Sequence, residues 1–150
     1  MTSPAREFWP LLALYVAPPT DPSGWVRRLT SIQLQKALFV LSQLRREQLP
    51  EFYDFIPYHF GPYSPEIERD LEELEAKALV KKIDSSEWEI TLEGHHLAEK
   101  LSGEAPKEPL QYLGTLTDWM RRVPLSTLLR AIYDRFPDYA RQGDRIPQHE

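Results

Sequence analysis

Six stretches of this chain place apolar residues three and four positions apart, the spacing that gathers them on one face of a helix. The first runs over residues 3–17 through Phe8, Leu11, Leu12, Leu14 and Tyr15, with Pro10 expected to kink it or mark its first turn. Thr30-Ser31-Ile32-Gln33 fits a capping box and opens the second, which runs to about Gln48. It turns Leu34, Leu38, Leu41 and Leu44 inward, with Ala37 and Val40 at the margin, and Pro50 closes it. The third carries Ile67, Leu71, Leu74 and Ala78, and a shorter fourth, begun by Thr91 or Glu93, carries Leu97 and Leu101. The last two cover 110–122, with Leu110, Leu113, Leu116 and Met120, and 126–136, with Leu128, Leu129, Ile132 and Tyr133. Pro137 ends the pair, and 143–150 reads as a frayed tail.

Other periods fill the intervals. Proline, glycine and short polar residues make 16–24 a loop, and 52–56 is aromatic and short enough for a strand. Two β-prone runs, 79–83 and 87–92, flank the polar turn Asp84-Ser85-Ser86 and predict a hairpin. Residues 103–109 read as a linker. The expected fold is mainly α with a small β-hairpin: a winged-helix-like domain with additional N- and C-terminal helices. Its parts are an N-terminal helix with a proline-rich loop (1–29), the winged-helix-like core (30–102), a C-terminal helical pair (103–142) and the tail.

The chain is organised around Ile56-Pro57-Tyr58-His59-Phe60-Gly61-Pro62-Tyr63-Ser64-Pro65-Glu66. Three prolines and a glycine exclude a helix interior here, so the third helix must start afterwards. Ser64 is placed to supply the N-cap oxygen, Pro65 to take the first helical position, and Glu66 and Glu68 to face the positive end of the dipole. From Pro65 to Ala78 six carboxylates stand against two cations, a net −4 within a chain of net charge −5.

Composition narrows the function. In 150 residues, 41% hydrophobic, one core can form. The chain has no cysteine, which excludes disulfides, thiolate metal sites and cysteine nucleophiles and suits a reducing cytoplasm. The short apolar run 11–17, flanked by prolines, does not read as a membrane span or a secretion signal, so a soluble, cytoplasmic protein is expected.

The chemistry points to binding. His95 and His96 are adjacent, so on a helix they point about 100° apart and do not share a metal unless Glu93 or Glu99 is brought in by the fold. No glycine-rich phosphate loop, nucleophile elbow or H-E-x-x-H is present; neither catalysis nor a cofactor is expected. The six-carboxylate helix occupies the recognition-helix place of a winged-helix domain, where it would be repelled by phosphate. A phosphate-binding patch would have to come from Lys81 and Lys82 with the doublets Arg27-Arg28, Arg45-Arg46 and Arg121-Arg122; scattered, solvated cations are the plainer alternative. The acidic face bearing Glu68, Glu72 and Glu75 is either a solvated surface or a docking face for a basic protein. Tyr58, Phe60 and Tyr63 are either packing residues or anchors of a binding surface, and His59 between two aromatics reads as a packed imidazole.

Several of these residues also resemble a known family. Leu34-Gln35-Lys36-Ala37-Leu38-Phe39, the block from Pro57 to Glu66, Leu71-Glu72-Glu73-Leu74 with Leu79-Val80, Ile90-Thr91-Leu92-Glu93-Gly94 and Tyr133-Asp134-Arg135-Phe136-Pro137-Asp138-Tyr139-Ala140 are similar to the Panacea (SocA-like) antitoxin domain and related bacterial proteins. The similarity spans about residues 30–140, and Phe60, Gly61, Pro62, Tyr63 and Ser64 stand at its most specific motif. The proline-rich loop 18–24 departs from it. The resemblance implies a small bacterial protein, of antitoxin or defence-system type, that binds and regulates a partner protein without catalysis or cofactor. The expected contact residues are Tyr58, His59, Phe60, Gly61, Pro62, Tyr63, Ser64, Glu68, Glu72 and Glu75. The alternative is a winged-helix DNA-binding transcription regulator acting through Lys81, Lys82, Arg121 and Arg122.

Overall fold

A computed structural model describes residues 3–140; the expected tail at 143–150 lies outside them. A single 3-10 turn, Arg6–Phe8, leads into helix α1 (Trp9–Val16), with Pro10 in its first turn, where a missing N–H costs no helical hydrogen bond. Strand β1 (Arg28–Thr30) and helix α2 (Ser31–Leu44) follow. Both halves of the expected capping box form: Gln33 N–H donates to Thr30 Oγ1 at 3.0 Å, and Thr30 N–H to Gln33 Oε1 at 2.9 Å. Strands β2 (Ile56–Tyr58) and β3 (Gly61–Tyr63) precede helix α3 (Pro65–Ala76). Strands β4 (Val80–Lys82) and β5 (Glu87–Ile90) lead to helices α4 (Leu92–Ser102), α5 (Lys107–Arg122) and α6 (Leu125–Arg135), and a 3-10 turn, Pro137–Tyr139, ends the described chain.

The fold is thus mainly α with small antiparallel sheets, in the order helix, hairpin, helix, hairpin, helix over α2 to α4. β4 and β5 form the expected hairpin, but β1 joins it on the far side of β5, with Leu29 opposite Trp88. Trp88 is buried and its indole N–H donates to Ser31 Oγ at 3.1 Å, tying the sheet to the start of α2. α4 returns close to the hairpin through Gly94, where an added Cβ would stand 2.1 Å from the Leu79 carbonyl oxygen. α1 packs against α2, α3, α4 and α5, and α2 against α5, so both terminal segments complete the core. The proline-rich loop is pinned by Arg27, whose guanidinium donates to the carbonyls of Tyr15 (3.0 Å), Ala17 (2.7 Å) and Gly24 (3.1 Å). Two acceptors at the C-terminal end of α1 and one in the loop are met by one planar cation.

Several expectations differ from the structure. α2 ends at Leu44, before Gln48, and α5 starts at Lys107, taking in Pro109 and shortening the linker. Leu97 and Leu101 do turn inward and pack against the core, but half-buried; the fully buried positions of α4 are Gly94, His95 and Ala98. The stretch 52–56 is no strand except for Ile56. Ala78 leaves the apolar stripe altogether. It takes a left-handed φ of +62° while Leu79 N–H reaches the Leu74 carbonyl (3.0 Å) and Ala78 N–H that of Glu75 (2.9 Å). That paired closure favours glycine at the left-handed position, and Ala78 carries a Cβ there. Ala78→Gly is therefore expected to raise the unfolding free energy by about 0.5–1 kcal/mol, measured as an increased urea midpoint with an unchanged slope.

Candidate protein-binding site

Residues 56–63 fold back on themselves. Ile56 pairs with Tyr63, Pro57 with Pro62 and Tyr58 with Gly61, leaving His59 and Phe60 as the turn. Prolines in both strands limit the ladder, so a pair this small needs support from outside. Two neighbouring residues of α2 supply it. Gln35 is 2% exposed; its Oε1 accepts Ser64 N–H at 2.8 Å and its Nε2 donates to Ser64 O at 2.8 Å and to Glu68 Oε2 at 3.0 Å. Lys36 is equally buried, and its Nζ donates to the Pro62 carbonyl at 2.9 Å. Gly61 is the contact point: at φ +87°, an added Cβ would lie 3.2 Å from Lys36 Cε and 3.3 Å from Leu129 Cδ2. Glycine is required twice over here, for its backbone conformation and for its lack of a side chain.

The arrangement divides the expected contact residues into two groups. Gly61, Pro62 and Ser64 are buried and hold the hairpin from within, so they offer a partner little surface. Ser64 also fails as a capping oxygen. Its hydroxyl donates to Glu66 Oε1 at 3.1 Å, and its backbone is clamped by Gln35, which fixes the start of α3 instead. Tyr58 is 48% exposed and Phe60 44% exposed, with Ile56 at 53% beside them. Tyr58 lies against Tyr63, ring centroids 5.1 Å apart, and against His59 at 4.7 Å. Tyr63 is half-buried, and its phenol is held above its ordinary pKa by desolvation and then by Glu68 and Tyr58.

The acidic helix is less free than its charge suggests. Asp70 accepts the hydroxyl of buried Tyr53, Glu66 pairs with Arg69 at 2.8 Å, Glu68 meets Gln35, and Glu75 accepts Lys82 N–H at 3.0 Å. Glu68, Glu72 and Glu75 still fall on one side of α3 at helical spacing, and Glu72 and Glu75 are exposed. Glu68 lines a cavity of about 250 Å³ with Ile32, Tyr58, Phe60, Gly61 and Tyr63. Gln35 and Lys36 close its inner side.

The residues expected for phosphate contact are engaged within the chain. Lys81 lies 3.4 Å from Glu89, which also pairs with Arg28 at 2.6 Å, and the Lys82 ammonium sits 5.2 Å from the Trp88 ring centre. Arg121 donates to the Pro18 carbonyl at 3.0 Å and Arg122 pairs with Asp118 at 2.9 Å. Arg45 grips Glu108 through two hydrogen bonds of 2.6 and 2.9 Å. His95 is buried with Nε2 2.7 Å from the Trp25 carbonyl, so it serves the 18–25 loop. Gln35 and Lys36 carry no site signal in the sequence, because polar residues on an otherwise apolar helix read as its solvent side.

Comparison with family models, curated proteins and solved structures returns no match to this chain.

Burial without a carboxylate bonded to it pulls the Lys36 ammonium down to about 7 from 10.5, opposed only by the nearby charge of Glu68. Between these values the unfolded chain retains a proton that the folded chain has released, so stability rises with pH across the window. Below it both states are protonated and the full cost of burying the cation remains. In Lys36→Met this contribution is expected to vanish. Unfolding free energies measured along the pH series should shift in favour of the wild type as pH rises, by at most a few kcal/mol.

Proposed function

We propose that this protein is a non-enzymatic binding module, of antitoxin or defence-system type, that captures and regulates a partner protein through the β2–β3 hairpin and the adjoining face of α3. The observation that carries the proposal is the exposure of Ile56, Tyr58 and Phe60 together on a hairpin whose backbone is anchored to a buried helix. Three large apolar side chains in five residues are costly to leave in water, and a rigid support lowers the entropy lost when they bind. The carboxylates beside them favour a partner with a basic surface and quicken its approach. Among the described residues no helix is long and apolar enough to cross a membrane. The motif likeness supports the antitoxin-like role, in which loss of this protein releases its partner's activity; loss of a structural subunit would instead abolish it.

The test is affinity capture of the tagged protein from its native host, with and without nuclease, using the wild type, Tyr58→Ser with Phe60→Ser, and Glu72→Lys. A stoichiometric protein that survives nuclease is expected with the wild type, at least tenfold less with the double variant and several-fold less with Glu72→Lys. Retention of nucleic acid alone, with binding to duplex DNA that falls steeply with salt and weakens in Lys81→Ala, Lys82→Ala, contradicts the proposal and favours the winged-helix regulator.

A further inference from the structure

The hairpin cavity does not end at the hairpin. A second cavity, of about 270 Å³, lies on the other side of the N-terminus of α2, between the α5–α6 corner and the tip of the β4–β5 hairpin. Its apolar walls are Met120, Val123, Leu125 and Leu128, with Ser86 at the rim. Ser31 and Ile32 line both cavities, so the two adjoin, with Ile32 between them. The two halves differ in charge. The hairpin half has Glu68 in its wall and Glu72 one helical turn beyond, and Lys36, the one basic residue lining either half among the described residues, has its Nζ bonded to the Pro62 carbonyl. Among the described residues the α5–α6 half is lined by neither acid nor base.

The geometry points to a groove for a linear peptide segment of the partner, which seats one apolar side chain among Tyr58, Phe60 and Tyr63, crosses Ile32, and seats a second among Met120, Val123 and Leu125, with a lysine or arginine beside the first facing Glu68 and Glu72. This rests on the protein-binding reading and names the chemistry that the site accepts. Two separated apolar holes select the spacing of the anchors, while the single acidic end fixes the direction of the chain.

Short linear peptides displayed on phage and panned against the full-length protein test it. Enriched sequences are expected to carry two apolar residues at a constant spacing and a Lys or Arg next to one of them. Fluorescently labelled synthetic copies should bind about tenfold more weakly to Phe60→Ser and to Leu125→Ser, and several-fold more weakly to Glu72→Lys, with melting temperatures unchanged. Leu125 is half-buried; should its variant unfold, Val123→Ser probes the same half. Failure to enrich such peptides, or binding indifferent to either half, overturns the groove. A native partner captured equally by wild type, Phe60→Ser and Leu125→Ser also overturns it, while leaving protein binding in place. No captured partner with the wild type overturns both.

Discussion

Two adjacent polar side chains inside the protein hold the outward-facing β2–β3 hairpin in place. Gln35 offers an acceptor and a donor to the N–H and C=O of the same residue, Ser64, and Lys36 reaches the carbonyl of Pro62. A buried amide and a buried ammonium are costly unless bonded, and the backbone groups they satisfy would be orphaned without them. The cost and the benefit are therefore linked. α2 can bury these residues only if the segment from Pro62 to Ser64 passes over them, and that segment can be buried only because they are there.

Consequences spread in both directions along the chain. Backwards, the clamp steadies a two-stranded ladder too short to be stable alone, which places Ile56, Tyr58 and Phe60 in water on a fixed support. Forwards, it sets the first turn of α3, so that Ile67, Leu71 and Leu74 meet the core and Glu72 and Glu75 face out. Apolar and acidic surfaces adjoin at Glu68 because one backbone segment positions both. Gly61 makes the close approach to α2 possible.

The sequence carried much of this layout, and the exceptions have physical causes. The Thr30 capping box and the β4–β5 hairpin were legible because each depends on neighbouring residues whose preferences agree, and Pro65 marked the start of α3 although the expected Ser64 cap gives way there to the distant Gln35. The β2–β3 pair was hidden by Pro57 and Pro62, which argue against a strand unless outside groups support the ladder. Strand β1 is three residues long and exists through β5, a partner nearly sixty positions away. Ala78 follows helical spacing but sits where the backbone has already turned left-handed. Of the site, the aromatic turn and the acidic helix were visible in the residue types. Gln35 and Lys36 were not, because pattern reading assigns polar residues to solvent and their backbone partners lie more than twenty residues away.

The β2–β3 hairpin is clamped to α2 and is not a loosely attached loop. Native-state hydrogen exchange of the Ser64 amide measures it most directly, since that N–H is buried and its acceptor is Gln35 Oε1. The account predicts exchange as slow as that of amides in the middle of α2, governed by global unfolding, and much faster exchange in Gln35→Ala. Rapid exchange of Ser64 in the wild type, while α2 remains protected, would contradict it.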